Sequence, residues 1–106
     1  METTGKGVDW TANAALMLSD IYVYIESQSG TFVASEYLGE LIEFGNHLAT
    51  KSEHFSYCRN IKLQTRGYRC ALFKKRYVLI YKENEVSVTI LAIIHAKRSP
   101  QEFEKI

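Results

Sequence analysis

The apolar residues of this 106-residue chain change period near its midpoint, and that change constrains the fold more than anything else in the sequence. Before Ser52 they recur at three and four. Ala14, Leu18, Ile21 and Ile25 share one side of a helix, with Met17 and Tyr24 beside them. Ala34, Tyr37, Leu38, Leu41, Phe44 and Leu48 repeat the pattern further on. Thr11 is suited to cap the first helix, because its hydroxyl can accept from the amides of the first turn. Gln28-Ser29-Gly30 would end it, with Gly30 in a left-handed conformation, and Thr31 would cap the second. Helices over 11–29 and 31–50 with so short a connection must run antiparallel, as a hairpin with one shared apolar side.

After Ser52 the period is two. Ile61 and Leu63 alternate with Lys62 and Gln64, followed by apolar or aromatic runs at Tyr68–Phe73, Tyr77–Tyr81 and Val86–Ile94. Short polar connections between such runs predict an antiparallel β-meander over 59–98. Val86–Ile94 is apolar on both alternating faces near its end, so it reads as a central strand covered on both sides there. A further short strand is expected around Val8–Trp10, after a flexible start over 1–7. Helices first and strands afterwards make an α+β domain, with the helical hairpin packed on one face of a mainly antiparallel sheet.

Length allows a single domain over 1–106. No uninterrupted apolar run is longer than five residues, as at Ile90 to Ile94, too short to span a bilayer, and Met1 to Trp10 lacks the hydrophobic core of a signal peptide. The expected compartment is therefore the cytoplasm, with no membrane partner. Cys58 and Cys70 offer no metal-binding pattern, and neither do His47 and His54, so no metal or cofactor is expected. In a reducing cytosol the two cysteines are expected as small core or near-surface residues rather than a disulfide.

Charge is unevenly divided. Residues 1–50 hold one cation against seven carboxylates and residues 51–106 hold twelve against five, so the halves carry −6 and +7. A basic half this distinct suggests an anionic partner, nucleic acid or an acidic protein segment; attraction between the halves within the fold is the alternative. Lys62, Arg66, Arg69, Lys74, Lys75, Arg76, Lys97 and Arg98 interleave with Tyr68, Tyr77 and Tyr81. Arginine forks suit phosphate or carboxylate, and tyrosine faces can stack on bases, although such tyrosines commonly serve as cross-strand pairs. His95 at the end of the last strand could act as a general base. A lone histidine there is more commonly a structural hydrogen-bonding residue, and no nucleophile motif accompanies it.

The ordered set R-N-I-K-L-Q-T-R-G-Y-R (Arg59–Arg69), Y-V-L-I-Y (Tyr77–Tyr81) and I-L-A-I-I-H-A-K-R (Ile90–Arg98), preceded by a helical hairpin, resembles the RelE/ParE superfamily of bacterial type II toxins. The resemblance runs from Val8 to about Phe103. RelE-like members cleave messenger RNA on the ribosome without a metal, and that pattern would use Lys62, Arg69 and Arg98 on phosphate with His95 as base or acid. Asn60 replaces a further lysine of that pattern, and Phe103-Glu104 stands where its C-terminal tyrosine would fall. The closer likeness is to the ParE-like branch, described as inhibitors of DNA gyrase that act by binding and are neutralised by a cognate antitoxin. The resemblance thus implies a gyrase-binding toxin, with a ribosome-dependent endoribonuclease acting on mRNA as the alternative and a non-toxic antitoxin-binding module as a third reading. The expected contact residues are Lys62, Arg69, Tyr81, His95, Lys97 and Arg98.

Overall fold

The computed structural model describes residues 5–97. In chain order the elements are β1 (Gly7–Trp10), α1 (Ala12–Ser29), α2 (Thr31–Asn46), α3 (Leu48–Lys51), α4 (Ile61–Thr65), β2 (Arg69–Phe73), β3 (Tyr77–Glu83) and β4 (Ser87–His95). The sheet order is β1-β4-β3-β2, antiparallel except where β1 runs parallel to β4. The chain is therefore α+β, a helical hairpin on one face of a mainly antiparallel sheet.

Thr11 performs two tasks at once. Its hydroxyl oxygen accepts from the Ala14 N–H at 3.0 Å, capping α1, and its proton goes to the Leu91 carbonyl at 3.3 Å. One residue thereby starts the helix and moors it to β4. Gly30 is the whole connection between α1 and α2, at φ 93°, ψ 168°, a region essentially reserved for glycine. Because nothing else separates the helices, Gly30 itself takes the N-cap position of α2, without a side-chain cap. Thr31, expected as the cap, is already helical and its hydroxyl donates to Glu26 at 3.1 Å. The second helical run is also broken at His47, where α2 gives way to α3.

The hairpin buries Ala14, Ile21, Ile25, Ala34, Leu38 and Leu41 against Ala71, Phe73, Leu79, Tyr81, Val88 and Ile90 of the sheet. Gly45 permits the closest approach. A Cβ there would lie 2.4 Å from the Trp10 ring, so α2 rests directly on β1 only because that position has no side chain.

A β-bulge decides which residues of β4 face the hairpin. Ile80 pairs with Ala92 but Tyr81 pairs with Ile90, leaving Leu91 as the extra residue. Val88 and Ile90 precede the bulge and Ile93 follows it, yet all three join the hairpin-side core. Ala92 and Ile94 turn to the opposite face and pack with Cys58, Leu63 and Ile80. The end of β4 is thus covered on both sides.

Two features of this second face differ from expectation. The segment Ile61–Leu63, expected as a strand, opens α4: the Asn60 carboxamide oxygen accepts from the Leu63 N–H at 3.2 Å and caps one short turn. Only Leu63 is buried, while Ile61 stays 73% exposed, so the alternation of the sequence did not reflect a sheet face. Cys58 and Cys70 form a disulfide with Cα atoms 4.9 Å apart, against the expectation of two thiols. The cause is local pairing: Tyr57 bridges Arg69, with Cys58 N–H bonded to Tyr68 O and Cys70 N–H to Ser56 O. The strand-like pairing of 56–58 with 68–70 brings the two sulfurs together.

Candidate binding surface at the end of the sheet

The last residues of β4 and the turn between β2 and β3 converge beside α1. His95 lies opposite Tyr77, whose ring meets the imidazole edge-on with centroids 5.3 Å apart. The Lys97 backbone N–H donates to His95 Nδ1 at 3.1 Å. An Nδ1 that accepts is unprotonated, so a neutral His95 carries its proton on Nε2 and acts there as a donor. Ala96 N–H bonds to Arg76 O at 2.7 Å, which ties the end of β4 to the β2–β3 turn.

That turn is Phe73-Lys74-Lys75-Arg76, closed by Arg76 N–H to Phe73 O at 2.9 Å. Its central residues are left-handed, Lys74 at φ 50° and Lys75 at φ 60°. Two left-handed central residues suit the twist of a tight hairpin, but such positions ordinarily favour asparagine and glycine. The Lys74 ammonium pairs with Glu40 of α2 and sits 5.6 Å from the centroids of both Tyr37 and Phe73. Arg76 lies 5.9 Å from the Tyr37 ring. Burial pushes the Tyr37 phenol up in pKa, with the Arg76 charge opposing, and among the described residues its hydroxyl has no hydrogen-bond partner.

Two clefts of about 500 Å³ each adjoin here, sharing Tyr24, His95 and Lys97. The first has an apolar wall of Met17, Ile21, Tyr77, Ile93 and Ile94, with Asp20 at its edge. Met17 Sδ approaches the Ile93 N–H at 3.2 Å, so α1 partly closes this side of β4. The second cleft is cationic on one side, where Lys74, Lys75 and Arg76 join the shared residues, and is closed on the other by Ile25, Gln28 and Ser29 at the end of α1.

The other expected contact residues lie elsewhere. Arg69 and Tyr81 pair at the opposite end of β2 and β3. Tyr81 is four residues from Tyr77, about 13 Å along the strand. Tyr81 is fully buried and donates to Ser52 O at 2.6 Å; burial raises its pKa well above the ordinary phenol. Arg69 Nε donates to Glu83 Oε2 at 2.8 Å, its guanidinium also reaches Phe55 O, and it stacks 4.2 Å over the Tyr57 ring. Lys6 Nζ reaches Glu83 Oε1 at 2.8 Å, and the Ser52 hydroxyl donates to the same oxygen. Burial alone would raise the Glu83 pKa. Hydrogen bonds from Lys6 and Ser52, with the charges of Lys6 and Arg69, overcome it and hold the carboxyl below the usual carboxylate range. Lys62 lies on α4, on the side of the sheet away from the hairpin, and Arg98 falls outside the described residues. The structure therefore brings His95 and Lys97 together and sets Arg69 and Tyr81 apart from them.

Lys74, Lys75 and Arg76 were not among the expected contacts. Their signal was present: a tight connection between two β-runs made of cations where turn-forming residues are usual. Among the described residues no group of His, Cys, Asp and Glu could hold a metal ion, and no helix is long and apolar enough to cross a membrane.

Comparison with known proteins bears on this geometry. A family model described as the ParE toxin of type II toxin–antitoxin system, parDE, matches residues 8–100. No curated protein matches the sequence significantly. Among solved structures, a chain of the chromosomal ParDE TA system from P. aeruginosa superposes with a TM-score of 0.74. The two are 18% identical, over 87% of this chain and 97% of that one. At that identity the likeness establishes the fold.

Proposed function

The chain belongs to the ParE toxin family of type II toxin–antitoxin systems, and on that premise we propose that it acts by binding and inhibiting DNA gyrase in the cytoplasm. A toxin of this class has a cognate antitoxin as its partner. The contact surface for the target is the end of the sheet, with His95 and Lys97, and Arg98 follows them in sequence. The apolar cleft between α1 and the end of β4 suits the nonpolar side of an antitoxin segment.

The observation that supports binding over catalysis is the state of His95. Its Nδ1 is engaged by the Lys97 N–H, which leaves the neutral ring a donor at Nε2 rather than a base. Arg69, which the nuclease reading needs on phosphate, is tied to Glu83 at the far end of the sheet. A base and a phosphate clamp about 13 Å apart along a strand do not address one scissile bond.

The test is a comparison on purified protein. Gyrase supercoiling should be inhibited once toxin is at least equimolar with gyrase, and mRNA translated in its presence should stay intact. Cuts with codon periodicity that appear only with ribosomes would sink the gyrase reading in favour of the endoribonuclease.

A further inference from the structure

We propose that the cationic cleft framed by the β2–β3 turn is a phosphate-binding site for a nucleic-acid strand, so that the protein contacts nucleic acid directly. The inference shares His95 and Lys97 with the target surface but rests on no particular target.

Three observations carry it. First, the cleft gathers Lys74, Lys75, Arg76, His95 and Lys97 around about 500 Å³ of open space. Lys74 is neutralised by Glu40, and Lys75, Arg76 and Lys97 remain exposed on its rim. Second, Lys74 and Lys75 occupy left-handed positions that disfavour lysine, and side chains held in such strain point to a task beyond folding. Third, the wall suits phosphate better than peptide. A peptide is held by apolar anchors in pockets, and those lie in the neighbouring cleft with Met17, Ile93 and Ile94. Here the one exposed aromatic face is Tyr24, 56% accessible, which can take a stacked base.

The experiment measures fluorescence anisotropy of the whole protein with a labelled DNA duplex of about 20 bp and with one of its strands, over a salt series. Neutralisation of three phosphates by Lys75, Arg76 and Lys97 gives a log–log salt slope of about −3 for the duplex. The double substitution K75G/R76S should weaken binding at least tenfold and reduce the slope by about 2. Glycine suits the left-handed position, so the turn is kept, and circular dichroism checks the fold. The pair R59S/R66S, on the loop and helix that cover the other face of the sheet, should leave affinity within twofold. Tighter binding of the single strand, lost in Y24A, would support stacking on Tyr24; equal binding of both forms would support backbone contact alone. No binding to either DNA at 50 mM salt, or unchanged binding by K75G/R76S, would overturn the site. Competition by poly-glutamate as effective as by unlabelled DNA would reassign the cleft to an acidic protein.

Discussion

Arg69 and Glu83 are 14 residues apart in sequence and joined at 2.8 Å across β2 and β3. Until the strand register is known, an arginine in a G-Y-R turn reads as a contact residue, because nothing local shows where its partner lies. In the fold its side chain is 15% exposed, Glu83 is 13% exposed, and Lys6 closes the cluster from the other side. Removal of the carboxylate would leave two poorly solvated cations facing each other. Glu83→Gln should therefore cost about 2–3 kcal/mol of stability at pH 7, read from urea unfolding. The same residue sets a pH dependence. Its folded pKa lies below the ordinary 4.5, so its contribution is full above that value and is lost as pH falls through the lower folded pKa. Wild-type stability should drop across that acid window, and the Gln variant should drop less. Equal acid sensitivity in both proteins would place the titrating group elsewhere.

The β2–β3 turn carries a comparable tension between residue type and conformation. Lysine in the left-handed region costs about 1–2 kcal/mol, whereas glycine enters it freely at some loss of unfolded-chain entropy. Lys75→Gly alone should thus stabilise the protein by about 0.5–1 kcal/mol, raising Tm by a few degrees. An unchanged or lower Tm would show that the turn is not strained. Elements such as α1 and α2 were legible because an apolar period sustained over many residues has one interpretation. Ile61–Thr65 was not, because a four-residue alternation fits a strand or a single helical turn equally well, and the Asn60 cap decided between them. The bulge at Leu91 has no mark in an apolar run, yet it determines that Ile93 and not Ala92 meets the hairpin. The candidate surface was legible where it is local in sequence, at His95 and Lys97. It was illegible where it depends on the return of the hairpin turn Lys74–Arg76 to the same place.

At the scale of the molecule, the described residues form a sheet with unequal covers. The hairpin shields one face with two long helices and carries five of the twelve carboxylates; Lys74 to Glu40 links it to the basic turn. Among the described residues the other face has a smaller cover, which includes Cys58, Tyr68 and the buried side chain of α4, Leu63. A five-residue helix has too few hydrogen bonds to persist alone, so its position depends on what fastens it. Among the described residues, Asn60, the 56–58 bridge to β2 and the Cys58–Cys70 disulfide act as such fastenings. The bridge closes a loop with a sequence separation of 12, for which the restriction of the unfolded chain is worth about 3 kcal/mol. A dithiol reductant should accordingly lower the urea midpoint by that equivalent, and proteolysis within residues 59–67 should precede any cut in the hairpin. The hairpin-side core does not include either cysteine, so the reduced chain should keep its helical circular dichroism. If reductant leaves the midpoint unchanged while free-thiol labelling shows both cysteines reactive beforehand, the cover is held by Leu63 and the backbone bridge without the disulfide.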